Sequence, residues 1–353
     1  MGKIITVVGS CIYDFRITAE RLPKPGETLK GWGFGISPGG KGANQAAAAA
    51  LLGAETYMVA NIGCDYQGDE LIKAYDGYGI HSDYVFRDKS VPTSTCLIHV
   101  SRDGENAIII DNMSANSKLS ARHVEAAREI LERTSVLLLQ NEVPFEASSL
   151  AIDIVKGAGG IVIFNPAPAD AFPEDWYSKT DYITPNESEA ECYTGIAING
   201  GSPGAYLQKA REAARALLKK GARNAIVTLG SSGSIYAARG GAGDSAGAGN
   251  SVGDSTGDMA GDSAGAGEGV GAGGIHFPAY KVDAVDSTAA GDAFNGALAV
   301  MLSEGADIGV AINFASAAGA LCATKAGAQS SLPSRADVCK LLERDAPRNI
   351  LGG

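Results

Sequence analysis

Apolar and polar positions along this chain come in blocks. Runs with almost no polar residue occupy 4–8, 135–139, 160–164 and 225–229, and each ends in polar or glycine residues. Short runs of this kind read as strands buried on both faces. Amphipathic stretches at 42–53, 119–132, 203–220 and 307–323 separate or follow them and predict helices. Repeated βα units predict an α/β fold, with a parallel sheet carrying helices on both faces. Two stretches break the rhythm, 12–38 and 92–111. In the second, 93–100 and 107–110 flank a turn at Asp103-Gly104. They predict a small sheet projecting from the main one, a candidate lid.

Residues 240–274 differ from everything around them, with 14 glycines, 7 alanines and almost nothing large. The heptad Gly-Asp-Ser-Ala-Gly-Ala-Gly occurs at 243–249 and again at 261–267. Such a tract buries too little apolar surface to offset the entropy of ordering it, so a disordered loop is expected. Its flanks, 234–237 and a strand expected at 279–285, mark it as an expanded hairpin turn.

Composition narrows the possible functions. With 353 residues and 45% hydrophobic content, one large α/β domain or two small ones fit. The 29 basic and 40 acidic residues leave a net charge of −11, which argues against a nucleic-acid partner. No apolar run reaches the length of a membrane span. The first six residues fit a myristoylation pattern, but they open the first strand and read as core. Six cysteines without C-x-x-C spacing suit a reduced, cytoplasmic protein, and the four scattered histidines suggest no metal site.

The chemistry gathers where strands end. In an open parallel sheet, ligands bind beyond the carboxyl ends of the strands. Here those ends run into Ser10–Asp14, Gln140-Asn141-Glu142, Asn165-Pro166-Ala167-Pro168, 184–191 and Thr228–Gly233. Ser287-Thr288-Ala289-Ala290-Gly291-Asp292 then leads into an apolar helix. Helix N-termini attract anions through unpaired N–H groups and the macrodipole, and small side chains leave room for the approach. Asp292 stands where a helix cap would stand, and also where a hydroxyl attacking a phosphate would need a base. Pro38-Gly39-Gly40-Lys41-Gly42-Ala43-Asn44-Gln45 opens another helix. It nearly spells a phosphate-binding P-loop, but Gly42 occupies the position that needs Ser or Thr for magnesium. A dinucleotide site is disfavoured too, because no G-x-G-x-x-G follows the first strand. Lys41 and Asn44 could clamp a polyol.

With these blocks assembled, the chain resembles the ribokinase family of sugar kinases. The resemblance rests on 39–45 and 289–296, with 165–169 and 184–191 between them, and covers nearly everything outside 240–274. It implies a single three-layer, Rossmann-like domain over 1–353 that phosphorylates D-ribose at its 5-hydroxyl with ATP. Carried over by position, it implies that Asp14, Gly40, Lys41, Gly42, Asn44 and Glu142 hold the sugar. Asp292 would be the base, and the amides of Ala289, Ala290 and Gly291 would form the anion hole. Asn186, Thr228, Leu229, Gly230, Ser231, Ser232, Gly233, Gly291 and Ser316 would serve the nucleotide, and Glu189 would reach hydrated Mg2+. A K+ site would use Asp286, Thr288, Cys322, Lys325, Gly327 and Ser331. A small sheet with apolar residues on both faces would leave one face wet in a monomer, so a homodimer through the lid is expected. The chain departs from the family at Ile12, often Asn, at Ser316, often His or Asn, and in a longer 111–116 lid turn. Kinases of the family for another sugar or a nucleoside, or a non-catalytic sugar binder, are the alternatives.

Overall fold

The first apolar run forms β1 (Ile4–Val8). The chain then leaves the main sheet for two lid strands, β2 (Ile12–Ala19) and β3 (Gly31–Gly39), and returns through α1 (Lys41–Leu51). The structure, a computed structural model, describes residues 3–103, 106–111, 113–198, 200, 202–239 and 274–345. The glycine-rich tract expected to be a disordered loop therefore lies outside the described residues, apart from Gly274.

Beyond α1 come β4 (Glu55–Gly63), α2 (Tyr66–Tyr78) and β5 (Ile80–Asp88), then the other two lid strands, β6 (Thr95–Val100) and β7 (Asn106–Ile110). The stretch predicted as one helix over 119–132 is two short ones, α3 (Ala121–Ala126) and α4 (Arg128–Arg133). They lead to β8 (Val136–Gln140), α5 (Phe145–Gly157) and β9 (Ile161–Asn165). Next are α6 (Trp176–Lys179), β10 (Tyr182–Ile183), α7 (Glu187–Thr194), α8 (Pro203–Lys220), β11 (Asn224–Thr228), β12 (Ser234–Ala238) and β13 (Ile275–Phe277). Three helices close the described chain: α9 (Ala290–Ser303), α10 (Ile308–Cys322) and α11 (Arg335–Asp345).

Nine strands form one sheet in the order β13-β12-β11-β10-β9-β8-β1-β4-β5, parallel except at the β11–β12–β13 edge. The central strands are mostly apolar because each feeds two cores. Ile5, Val7, Leu138, Ile163 and Ile226 pack into the core shared with α1, α9 and α10. Their neighbours Ile4, Val8, Leu137, Leu139, Val162, Phe164 and Val227 pack into the opposite core with α5 and α8. Successive residues of a strand face opposite sides, so one run fills both layers. A second sheet, β3-β2-β6-β7, projects from the first as expected for the lid. Among the described residues no helix is long and apolar enough to cross a membrane.

One expectation fails. β12 pairs antiparallel with Ile275–Phe277, and 279–285 is not a strand. That segment leaves the sheet edge for the end of α10, where Val285 and Asp286 donate their N–H groups to Ala323 O at 2.8 and 3.1 Å.

Candidate active site

β1 lies between β8 and β4, where the order of strands reverses, and a parallel sheet opens a crevice at such a point. The start of α1 seals one side of that crevice. Gly40 caps the helix at φ 89°, a left-handed backbone value that favours glycine. At Gly42 the helix presses on the β1 exit so closely that a Cβ would lie 2.6 Å from Ser10 N. The close approach lets the Gly42 N–H donate to Ser10 Oγ at 3.3 Å. Ser10 in turn donates to Glu142, which also accepts from the Lys41 N–H at 3.2 Å. Residues 10, 41, 42 and 142 thus meet, as expected for all but Ser10, to which the sequence alone assigns no role.

The start of α9 seals the other side. Its cap is Ala289 at φ 60°, the one non-glycine residue with a left-handed backbone among those described. That conformation costs an alanine on the order of 1 kcal/mol. Asp292 is not the cap. Its carboxylate, 7% exposed, points at α1, where Oδ2 accepts from Asn44 Nδ2 and Oδ1 from Gln45 Nε2, both at 3.0 Å. Of the three candidate anion-hole amides, Ala290 N–H is spent on Ser287 O at 3.1 Å. Those of Ala289 and Gly291 have no acceptor among the described residues. A Cβ built on Gly291 would meet nothing within 4 Å, so the approach is open.

Charge is concentrated here. Burial by itself would lower the Lys41 ammonium, but Asp292, Glu142 and Glu189 hold it above its ordinary value. Burial pushes the Asp292 carboxyl up against the opposing pull of Lys41, Asn44 and Gln45. Glu142 is raised by burial in the same way, against Lys41 and its hydrogen bonds. Burial, with the charge of Glu142 added, raises Asp14 to about 7. Asn44 Oδ1 is buried without a partner, an unmet acceptor in a site whose other polar atoms are mostly engaged.

The nucleotide candidates form a neighbouring group. Asn186 caps α7 by accepting from Glu189 N at 2.9 Å, and Glu189 Oε2 accepts from Asn186 N at 2.9 Å. Asn186 pairs with Thr228 in an isolated parallel bridge, so 186 and 228–233 lie side by side. A 3-10 turn, Gly230–Ser232, shapes that loop, which closes with Leu229 N donating to Gly233 O at 2.8 Å. Ser316 sits half-buried on α10, and no hydrogen bond among the described residues joins it to the loop.

The expected K+ residues also converge. Asp286 Oδ1 accepts from Thr288 N at 2.9 Å and Thr288 Oγ1 at 2.6 Å, and its Oδ2 accepts from Gly327 N at 3.0 Å. Cys322 Sγ lies 3.5 Å from Thr288 O and 3.0 Å from Ser331 Oγ. Lys325 N donates to Cys322 O at 3.3 Å. Among the described residues no group of three or more His, Cys, Asp or Glu is arranged to hold a metal ion.

Comparison with known proteins gives the family. The model of the "pfkB family carbohydrate kinase" matches residues 3–269 and 268–335. The chain is 35% identical to a ribokinase of Haemophilus influenzae over 97% of its own length and 99% of the relative's. It is 34% identical to a deoxyribokinase of Salmonella typhi, over 94% and 95%. It superposes on an Arabidopsis thaliana ribokinase solved with ribose and ATP with a TM-score of 0.79 and 32% identity, covering 97% of this chain and 99% of that one. With two glycine-flanked helix starts facing each other across the switch point and a family model spanning nearly all of it, the chain belongs to the pfkB family of carbohydrate kinases, as a sugar kinase of the ribokinase type.

Proposed function

We propose that the protein transfers the terminal phosphoryl group of ATP to the 5-hydroxyl of D-ribose, giving D-ribose 5-phosphate and ADP. The observation that carries this reading is the Asp292 carboxylate. It is buried beside Lys41, held by two amides, and sits one residue from the free Gly291 N–H. The hydroxyl proton passes to Asp292 as the new O–P bond forms and the bond to the ADP oxygen breaks. The amides of Ala289 and Gly291 and the Lys41 ammonium face the charge on the moving phosphoryl group, the usual source of catalysis in such transfers. Asp14, Gly40, Gly42, Asn44 and Glu142 orient the sugar, with the open Asn44 Oδ1 receiving a hydroxyl. Asn186 and the 228–233 loop serve the nucleotide, with Ser316 beside the base. The ribose and ATP of the Arabidopsis relative's structure support both substrates.

Magnesium, when bound, compensates the nucleotide phosphates. Glu189 suits an outer role toward it. Both its oxygens already accept from Asn186, and Mg2+ characteristically keeps several waters beside one or two carboxylates.

The deoxyribokinase relative favours a second reading, 2-deoxyribose as acceptor. A kinase assay across pentoses, deoxypentoses, hexoses and nucleosides decides between them. D-ribose should give the highest kcat/KM, and a higher value with any other acceptor replaces it.

Potassium should activate. Asp286 ties the turn before α9 to the 325–331 loop, an oxygen-rich pair of segments, and a cation there would brace the anion hole without touching substrate. Turnover in K+ should exceed that in Na+ or a tetraalkylammonium salt, and equal rates would remove the site.

The lid should pair two copies. Trp32, Phe34, Ile36, Leu97 and Ile109 stand exposed on it, Ile109 at 71%. A symmetry mate would cover such a face. Light scattering at micromolar concentration should give twice the 36.0 kDa chain mass, and the monomer mass would refute the pairing.

A further inference from the structure

Gln45 is fully buried on α1, and every polar atom of its side chain is engaged by the protein. Its Nε2 donates to Asp292 Oδ1 at 3.0 Å and to Asn165 Oδ1 at 3.2 Å, and its Oε1 accepts from Gln140 Nε2 at 2.7 Å. The neighbouring Asn44 differs, since its Oδ1 remains open. Gln45 thus has no atom left for a sugar.

The bonds around it run in one direction. Asn165 Nδ2 donates to Thr184 O at 2.9 Å, which leaves Asn165 Oδ1 facing Gln45. Thr184 Oγ1 donates to Asn295 Oδ1 at 2.7 Å, and Asn295 Nδ2 donates to Gly291 O at 2.8 Å. A chain of amides anchored at the ends of β8, β9 and β10 therefore begins at the carboxylate of Asp292 and ends on the peptide of Gly291. Turning over any one amide would set donor against donor or acceptor against acceptor, so each fixes the next.

We propose that Gln45 is the positioning residue of the phosphoryl-transfer base: it fixes the orientation of the Asp292 carboxylate and, through Asn165, Thr184 and Asn295, holds that carboxylate in register with the Gly291 turn. The proposal rests on the reading of Asp292 as the base. The other charged or titratable groups that face Asp292 are Lys41 from α1, Glu142 beyond β8, Glu189 from α7 and Cys322 from α10, and none of them bonds to Gln45.

The test is the pH profile of kcat with MgATP and D-ribose for Gln45→Leu, Gln45→Glu and Asp292→Asn. Gln45→Leu deletes one hydrogen bond to the carboxylate, so the acid limb should move up by about one pH unit. Gln45→Glu sets a second carboxyl against the first and should move it further. The sugar KM should stay within about 3-fold in both, because the lost contact is not made to the sugar. Gln45→Glu is close to isosteric and carries the test if the leucine variant does not fold. Acid limbs that coincide with the wild type in the folded variants overturn the proposal, even if thermal stability falls. If Asp292→Asn keeps wild-type turnover, the base reading fails and takes the proposal with it. If Asp292→Asn loses turnover while the Gln45 variants keep the wild-type acid limb, only the proposal fails.

Discussion

Asp292→Asn should lose turnover by on the order of 10²–10⁴-fold while remaining folded, the usual contribution of a positioned general base. The amide keeps the shape of the side chain and retains one acceptor for Asn44 or Gln45, so loss of basicity is the main change. The pH dependence gives a second check. Burial holds the Asp292 carboxyl above its ordinary value of 3.8, so the protonated, inactive form persists to higher pH than for an exposed aspartate. Turnover of the wild type should fall as pH is lowered through that raised value, and this limb should be missing from the residual activity of the variant. Asp14, raised to about 7, would act in sugar binding and should appear in kcat/KM near neutrality. Near-normal turnover of Asp292→Asn, measured by ADP release, would remove Asp292 from the reaction.

Gly296→Ala should be nearly as damaging although residue 296 touches no proposed substrate atom. A Cβ at Gly296 would lie 2.6 Å from Ala48 Cβ, 2.9 Å from Gln45 O and 3.0 Å from Ala49 N, in the seam between α9 and α1. Two of those atoms are backbone, so the helices themselves must separate. Overpacking of this kind typically costs about 1–3 kcal/mol, and calorimetry should show a lower thermal midpoint. The functional cost follows from geometry. Asp292 sits on one helix and its two amide donors on the other, so moving the helices apart pulls the carboxylate off Asn44 and Gln45. A misplacement of about 1 Å at such a site can cost roughly 10²-fold in rate. Turnover and midpoint both equal to wild type would show that the seam has slack that its packing does not suggest.

How much of this was legible before the fold depends on the kind of signal. The β4–α2–β5 segment carries no assignment from sequence alone, and α2 buries only Gly68, Leu71 and Tyr75. Its end signals were present, with Asp65 accepting from Gly68 N and Gly79 at φ 74° closing the helix. The strand expected at 279–285 failed for a different reason. Alternation of apolar and polar residues does not specify a hydrogen-bonding partner, and this segment runs largely exposed, Val285 at 67%, before its end is tied to Ala323 O. The role of Asp292 was open between cap and base. With Ala289 taking the cap position, the carboxylate was left free to cross to α1.

The sequence by itself determined the layered α/β architecture, the projecting lid sheet, and the family, because these rest on local pattern. Runs such as 136–139 are apolar at every position only when both faces are buried, and the glycine blocks at 39–42 and 289–296 carry their spacing in the chain. Only the tertiary structure decided what each polar residue at a strand end does. Ser10, Gln140, Asn165, Thr184 and Asn295 look like ordinary turn or helix residues when read locally. Their partners lie far along the chain, 132 positions away for Ser10 and Glu142 and 247 for Gln45 and Asp292. A hydrogen bond has direction and a reach of about 3 Å, and no local periodicity encodes which distant strand ends will meet. That pairing arises when the parallel sheet brings its carboxyl ends to one edge and two helices close across them.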